Sequence, residues 1–109
     1  MGAKNHMVVM PDADKEDTLN AIINSAFGSS GQRCMAISVV VFVGETGDWL
    51  DEVTAKAKTL KVGAGWDAST DIGPLNTKGA KDRVVNLINT GEKEGAKVVL
   101  DGRNPKLPA

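Results

Sequence analysis

The apolar patterning of this chain predicts an α/β fold: a mostly parallel sheet with helices on its faces, about three strands and three helices. Three observations support it. Short β-branched runs occur without polar alternation, as in strands covered on both faces. Stretches with helical periodicity separate those runs, as crossovers between parallel strands require. The chain has 109 residues, 41% of them hydrophobic and 25% charged, which is the composition and size of a single globular unit.

The elements follow in order. Asn5-His6-Met7-Val8-Val9-Met10 is a short apolar run ended by Pro11, as expected of a buried strand. Asp12, Asp14, Glu16 and Asp17 then crowd a helix start, where carboxylates cap free N–H groups and oppose the positive end of the helix dipole. Leu19, Ile22, Ile23, Ala26 and Phe27 form one apolar stripe along that helix, and Gly28 ends it. Ile37 to Val43 reads as a second strand, closed by Gly44. Thr46 or Asp48 is placed to cap a second helix with Leu50, Val53, Ala57 and Leu60 inward. Val62 to Asn76 is a loop of about 15 residues, longer than most connections in compact domains. Thr77 opens a third helix with Ala80, Val84, Ile88 and Leu87 inward; Gly91 and Gly95 permit its C-cap, and Lys97 to Leu100 reads as a third strand. The stretch 103–109 has no period and two prolines, as in a linker or tail.

Composition excludes several function classes. Lys and Arg number 13 against 14 Asp and Glu, a net charge of -1 with the signs interspersed, so nucleic acid is not an expected partner. The longest apolar run, Ile37 to Val43, is too short to span a bilayer, so no membrane partner is expected. A single cysteine allows no internal disulfide and lacks the further soft ligands of a zinc site, so no metal is expected.

That cysteine carries the chemistry. In Phe27-Gly28-Ser29-Ser30-Gly31-Gln32-Arg33-Cys34-Met35-Ala36 it follows a run of small residues, which leaves room for a substrate and lets the backbone turn its N–H groups toward the sulfur. Arg33 adds a fixed positive charge, and such a charge beside a thiol favours the nucleophilic thiolate. The competing reading is an inert, buried cysteine in a binding module. His6, the only histidine, is the only imidazole that a small thiol hydrolase could use as a base, and it sits on a different element. Gly63-Ala64-Gly65 is explained by turn geometry, since no Lys-Ser/Thr or helix start follows it directly.

Gly2-Ala3-Lys4-Asn5, Val8-Val9-Met10-Pro11-Asp12-Ala13-Asp14, Gly31-Gln32-Arg33-Cys34 and Gly73-Pro74-Leu75, in this order, resemble the catalytic domain of aldehyde dehydrogenases. Met1-Gly2-Ala3-Lys4-Asn5-His6 with Gly31-Gln32-Arg33-Cys34-Met35-Ala36 looks most like the acylating branch that takes methylmalonate and malonate semialdehyde in valine and thymine breakdown. The resemblance implies a partial catalytic domain over residues 1–102 and Cys34 as catalytic nucleophile, with NAD as hydride acceptor and coenzyme A as acyl acceptor. Its oxyanion would be held by the backbone N–H of Cys34 and by an asparagine of another domain. Arg33 would grip the substrate carboxylate, against the alternative that it only tunes the thiol or faces water. Arg83 would touch the NAD ribose, although Ala80 stands where many members carry glutamine. The resemblance further implies a homo-oligomer, a tetramer, in the mitochondrial matrix of eukaryotes or the cytoplasm of bacteria.

Other family motifs are not found on the chain. It has no glycine-rich dinucleotide fingerprint and no Glu-Ile-Phe-Gly-Pro motif, so the NAD site is expected to be incomplete and the isolated chain inactive. Faces that would meet other parts of such an enzyme are expected to be exposed and to favour self-association. A hydrolytic second step, with water in place of coenzyme A, is the alternative within the family.

Overall fold

The computed structural model describes residues 2–107. Met1, which opens one motif quoted above, and Pro108 and Ala109 of the expected tail lie outside the described residues. Strands β1 (Asn5–Val9) and β2 (Ile37–Phe42) pair in parallel and are joined through helix α1 (Lys15–Phe27). A 3-10 turn at Gly44–Trp49 leads into α2 (Leu50–Lys58), and α3 (Lys78–Lys93) follows a long connection. The expected α/β class is what forms.

Local chemistry explains the boundaries. The Asp14 carboxylate accepts the Asp17 N–H at 2.9 Å and caps α1, and the Gly28 N–H donates to the Asn24 carbonyl at its other end. Leu19 and Ile22 of the expected stripe are buried and pack with Val9 as the core under the sheet. Burial of such side chains stabilises a fold by about 1.5–3 kcal/mol each. Thr77 caps α3 by accepting the Ala80 N–H at 3.1 Å, and Gly95, with φ +102°, ends the turn that follows that helix. Exposed ion pairs Lys15–Glu52 and Lys56–Glu16 tie α2 to α1, each contributing about 0–1 kcal/mol.

Four expectations are corrected. Lys97 to Leu100 forms no strand, since no neighbouring strand among the described residues offers it ladder hydrogen bonds. The sheet is not covered on both faces: exposed and covered positions alternate along β1, Ser38 and Val41 are exposed on β2, and the partners Val8 and Val41 are both exposed. Valine at the outward positions made the runs look continuous. Neither Thr46 nor Asp48 caps α2, which grows out of the 3-10 turn with Trp49 before it. Thr46 is instead buried, and its hydroxyl donates to the Val43 carbonyl at 2.8 Å, with the Val9 carbonyl at 3.4 Å, clasping the ends of both strands. Helix α3 buries nothing: Val84, Leu87 and Ile88 stay exposed, because it makes no extended contact with the sheet or α1.

Candidate active site

The chain after α1 turns in an unusual way. Ser29 (φ 53°) and Ser30 (φ 57°) are left-handed, followed by Gly31 at φ 70°. A non-glycine residue held there costs roughly 1–3 kcal/mol, and such strain persists only where surrounding contacts over-determine it. Three polar side chains supply those contacts. Ser30 Oγ donates to the Gly73 carbonyl at 2.6 Å. Gln32 donates through Nε2 to the Pro74 carbonyl at 3.3 Å and accepts the Asn76 N–H through Oε1 at 3.2 Å. From the opposite side, Asn5 Nδ2 donates to the Cys34 carbonyl at 2.9 Å and the Ala36 carbonyl at 3.0 Å.

These bonds bring the separate sequence motifs to one place. Asn5 opens β1, Gln32 and Cys34 sit on the turn, and Gly73-Pro74 closes the long loop. The loop has its own frame: a parallel bridge joins Val62 to Ile72, and the Asp71 carboxylate accepts the Lys61 N–H at 2.9 Å. Ser69 donates its N–H and hydroxyl to Asp67, which holds that carboxyl below its ordinary value. Next to Asn5 the sheet register slips, pairing Asn5 with Ile37 but His6 with Val39 and so skipping Ser38. Bulges of this kind re-aim chain beside functional sites.

Cys34 is a free, exposed thiol on this turn, and Met35 beside it is also exposed. That removes the reading of a cysteine sealed in the core. Among the described residues no acceptor takes the Cys34 backbone N–H, so this donor is open to an oxygen of a bound molecule. The Ala36 N–H donates to the Arg33 carbonyl at 3.1 Å and closes the turn around the cysteine.

Arg33 is exposed and pairs with no carboxylate among the described residues. Its guanidinium folds back over Gly28 at the carboxyl end of α1, the negative pole of that helix. A cation without an acidic partner keeps its hydrogen-bond capacity for a ligand carboxylate. His6 has Nδ1 2.8 Å from the Lys4 carbonyl oxygen, and no hydrogen bond links it to Cys34. Arg83 is exposed on α3, which makes no extended contact with the sheet or α1. Among the described residues the sheet has two strands, and no glycine-rich strand-to-helix turn of the pyrophosphate-binding kind is found.

Sequence reasoning missed Asn5, Ser30 and Gln32 as the brace of the turn. The signal was nevertheless present, since Asn5, Gln32 and Gly73-Pro74 belong to the motifs that carried the resemblance.

A thiol presented on a strained turn beside an unengaged amide is placed to attack a carbonyl carbon. The chain matches the model of the Aldehyde dehydrogenase family over residues 1–108 and belongs to that family. It is 58% identical over 107 residues to the rat mitochondrial methylmalonate-semialdehyde/malonate-semialdehyde dehydrogenase [acylating], covering 98% of this chain and 20% of that protein. The human enzyme of the same name gives the same identity and coverage. Among solved structures, the methylmalonate-semialdehyde dehydrogenase of Oceanimonas doudoroffii superposes with a TM-score of 0.93 at 45% identity, over 99% of this chain and 22% of that one. An aldehyde dehydrogenase from Bacillus cereus in complex with NAD+ superposes at 0.87 with 34% identity, over 91% of this chain and 20% of that one. The chain thus spans about a fifth of the length of the curated relatives it matches.

Proposed function

We propose that Cys34 is the nucleophile of an NAD- and CoA-dependent oxidoreductase that converts methylmalonate or malonate semialdehyde to propanoyl-CoA or acetyl-CoA. The observation that carries this reading is the exposed, free Cys34 thiol on a turn held by Asn5, Ser30 and Gln32. In it, the Cys34 thiolate attacks the aldehyde carbon, and the oxygen that gains charge in the tetrahedral adduct takes the Cys34 N–H. Preorganised donors of this kind contribute about 3–4 kcal/mol to such steps. The Arg33 guanidinium holds the substrate carboxylate, which leaves as carbon dioxide before the acyl group reaches coenzyme A; the electron pair of the broken carbon–carbon bond passes to the thioester enolate, whose α-carbon takes a proton from water to give the propanoyl or acetyl group. Coenzyme A takes the acyl group from the Cys34 thioester by thiol attack on its carbonyl.

NAD supplies the hydride acceptor in this reading. On this chain Arg83 is the position assigned to it, at the ribose. Because no glycine-rich turn of the pyrophosphate-binding kind is found among the described residues, the 109-residue chain by itself is expected to form no NADH. The complete enzyme is assigned a homo-oligomeric, tetrameric state, with residues 1–102 in its nucleophile-bearing domain and 103–109 as a linker or tail. The names of the mammalian relatives support a mitochondrial location for a eukaryotic source; for a bacterial source the location assigned is the cytoplasm.

Exchanging residues 2–107 for the matching segment of the rat enzyme tests the proposal. The chimera is expected to form NADH from malonate semialdehyde beyond one equivalent per site only with coenzyme A present, and Cys34→Ser is expected to lower that rate by roughly a thousandfold or more. A folded chimera that forms no NADH, or a Cys34→Ser chimera that keeps its rate, overturns it.

A further inference from the structure

Gly28 is a glycine whose backbone does not ask for one. Its φ of -53° and ψ of 130° are open to any residue, unlike the left-handed positions that follow it. What excludes a side chain there is Arg33: a Cβ on Gly28 would stand 2.6 Å from Nη1, 3.0 Å from Cζ and 3.4 Å from Nη2 of the guanidinium. The three heavy atoms nearest to that Cβ all belong to the Arg33 guanidinium, so the close conflict is with Arg33. The guanidinium is the far end of a flexible chain, and it would yield to a methyl group more readily than the backbone would. A substitution at Gly28 therefore moves a charge while leaving the fold in place.

We propose that Gly28 is a positioning residue: it leaves open the berth at the carboxyl end of α1 in which the Arg33 guanidinium rests, and so sets the preference of the Cys34 site for electrophiles that carry a carboxylate. The berth suits a cation, because the last carbonyls of α1 present partial negative charge. It also keeps the guanidinium on the turn that carries Cys34, with no acidic side chain among the described residues competing for it. Any side chain at position 28 displaces the cation from this place and weakens the preference. The inference rests on the reading of Arg33 as a carboxylate holder.

The test needs neither NAD nor coenzyme A and uses the 109-residue chain. Iodoacetate and iodoacetamide both alkylate a thiolate: sulfur attacks the methylene carbon, the carbon–iodine bond breaks, and iodide leaves. Only iodoacetate carries a carboxylate, so the ratio of the two rates at Cys34 reports the neighbouring cation while cancelling changes in thiol reactivity. Arg33→Ala is expected to lower this ratio several-fold at low salt, with the difference shrinking as salt rises. Gly28→Ala is expected to lower it in the same direction while leaving the circular dichroism spectrum and thermal midpoint unchanged. In an Arg33→Ala background, Gly28→Ala is expected to change nothing further. A Gly28→Ala ratio equal to the wild type, with Arg33→Ala lowered, overturns the role of Gly28 alone. An unchanged ratio in Arg33→Ala overturns the reading of Arg33 and this inference with it. A further drop in the double variant assigns the effect to general disturbance of the turn and also overturns the inference.

Discussion

The cysteine turn and helix α3 show two opposite ways of holding a segment. The turn has poor intrinsic geometry, with two serines in left-handed conformation, and it is held from outside by Asn5 on one flank and the Gly73-Pro74 stretch on the other. Helix α3 has good intrinsic geometry, with a Thr77 cap and the Lys78–Asp82 pair on its first turn, yet almost nothing packs on it. Its main outside tether is Arg103, which donates to Asn89 at 2.7 Å and pairs with Glu92 and Asp101. The difference teaches that order at the reactive position comes from long-range polar contacts, whereas order in α3 is local.

This contrast can be broken at several points. The largest effect is chemical: Cys34→Ser is expected to abolish alkylation by iodoacetamide, read by intact mass, while leaving the fold unchanged. Next is the core shared by the turn's supports. Leu19→Ala should destabilise the chain by about 2–5 kcal/mol in urea unfolding, whereas Leu87→Ala on exposed α3 should stay within about 0.5 kcal/mol. Asn5→Ala removes two bonds to the turn and should destabilise by about 1–3 kcal/mol, with a change in the Cys34 alkylation rate that a damaged surface site would not show. Ser29→Gly relieves a left-handed φ with no side-chain bond lost and should stabilise by about 1 kcal/mol. Ser30→Gly gives up the bond to Gly73 as well and should come out near zero.

The smallest effect is a pH response confined to the α3 tether. The Arg103 side chain and then its N–H donate to Asp101, which holds that carboxyl down from its ordinary 3.8 to about 2. Lowered in the folded state, this group favours folding above pH 3.8, and its contribution is lost as pH falls toward 2. An NMR titration should show the Arg103 amide signal steady above pH 4 and moving below it. The exposed valines 8 and 41 add a further check on the sheet: ultracentrifugation at high concentration should show self-association that Val8→Ser with Val41→Ser reduces.

Much of this architecture was legible from residues alone. Asp14 and Thr77 mark helix starts through local chemistry, and the strands at Asn5 and Ile37 announce themselves by β-branched content. The thiol was legible too, because small residues on its N-terminal side predict an open turn. The rest depended on partners far along the chain. Lys97 to Leu100 has the composition of a strand but no strand to pair with, and Val84, Leu87 and Ile88 form a stripe with no surface to meet. Thr46 could be read as a cap only until Val9 and Val43 were seen to lie beside it. The brace of Asn5 and Gln32 spans separations that no local periodicity encodes.

The bond from Ser30 to Gly73 joins residues 43 positions apart. Contacts of such separation require closure of a long loop, which carries an entropic penalty that local helix formation avoids. During synthesis the first helix and both strands can therefore form while the connection ending at Pro74 has yet to emerge. The sulfur therefore acquires its braced surroundings only once that loop has closed.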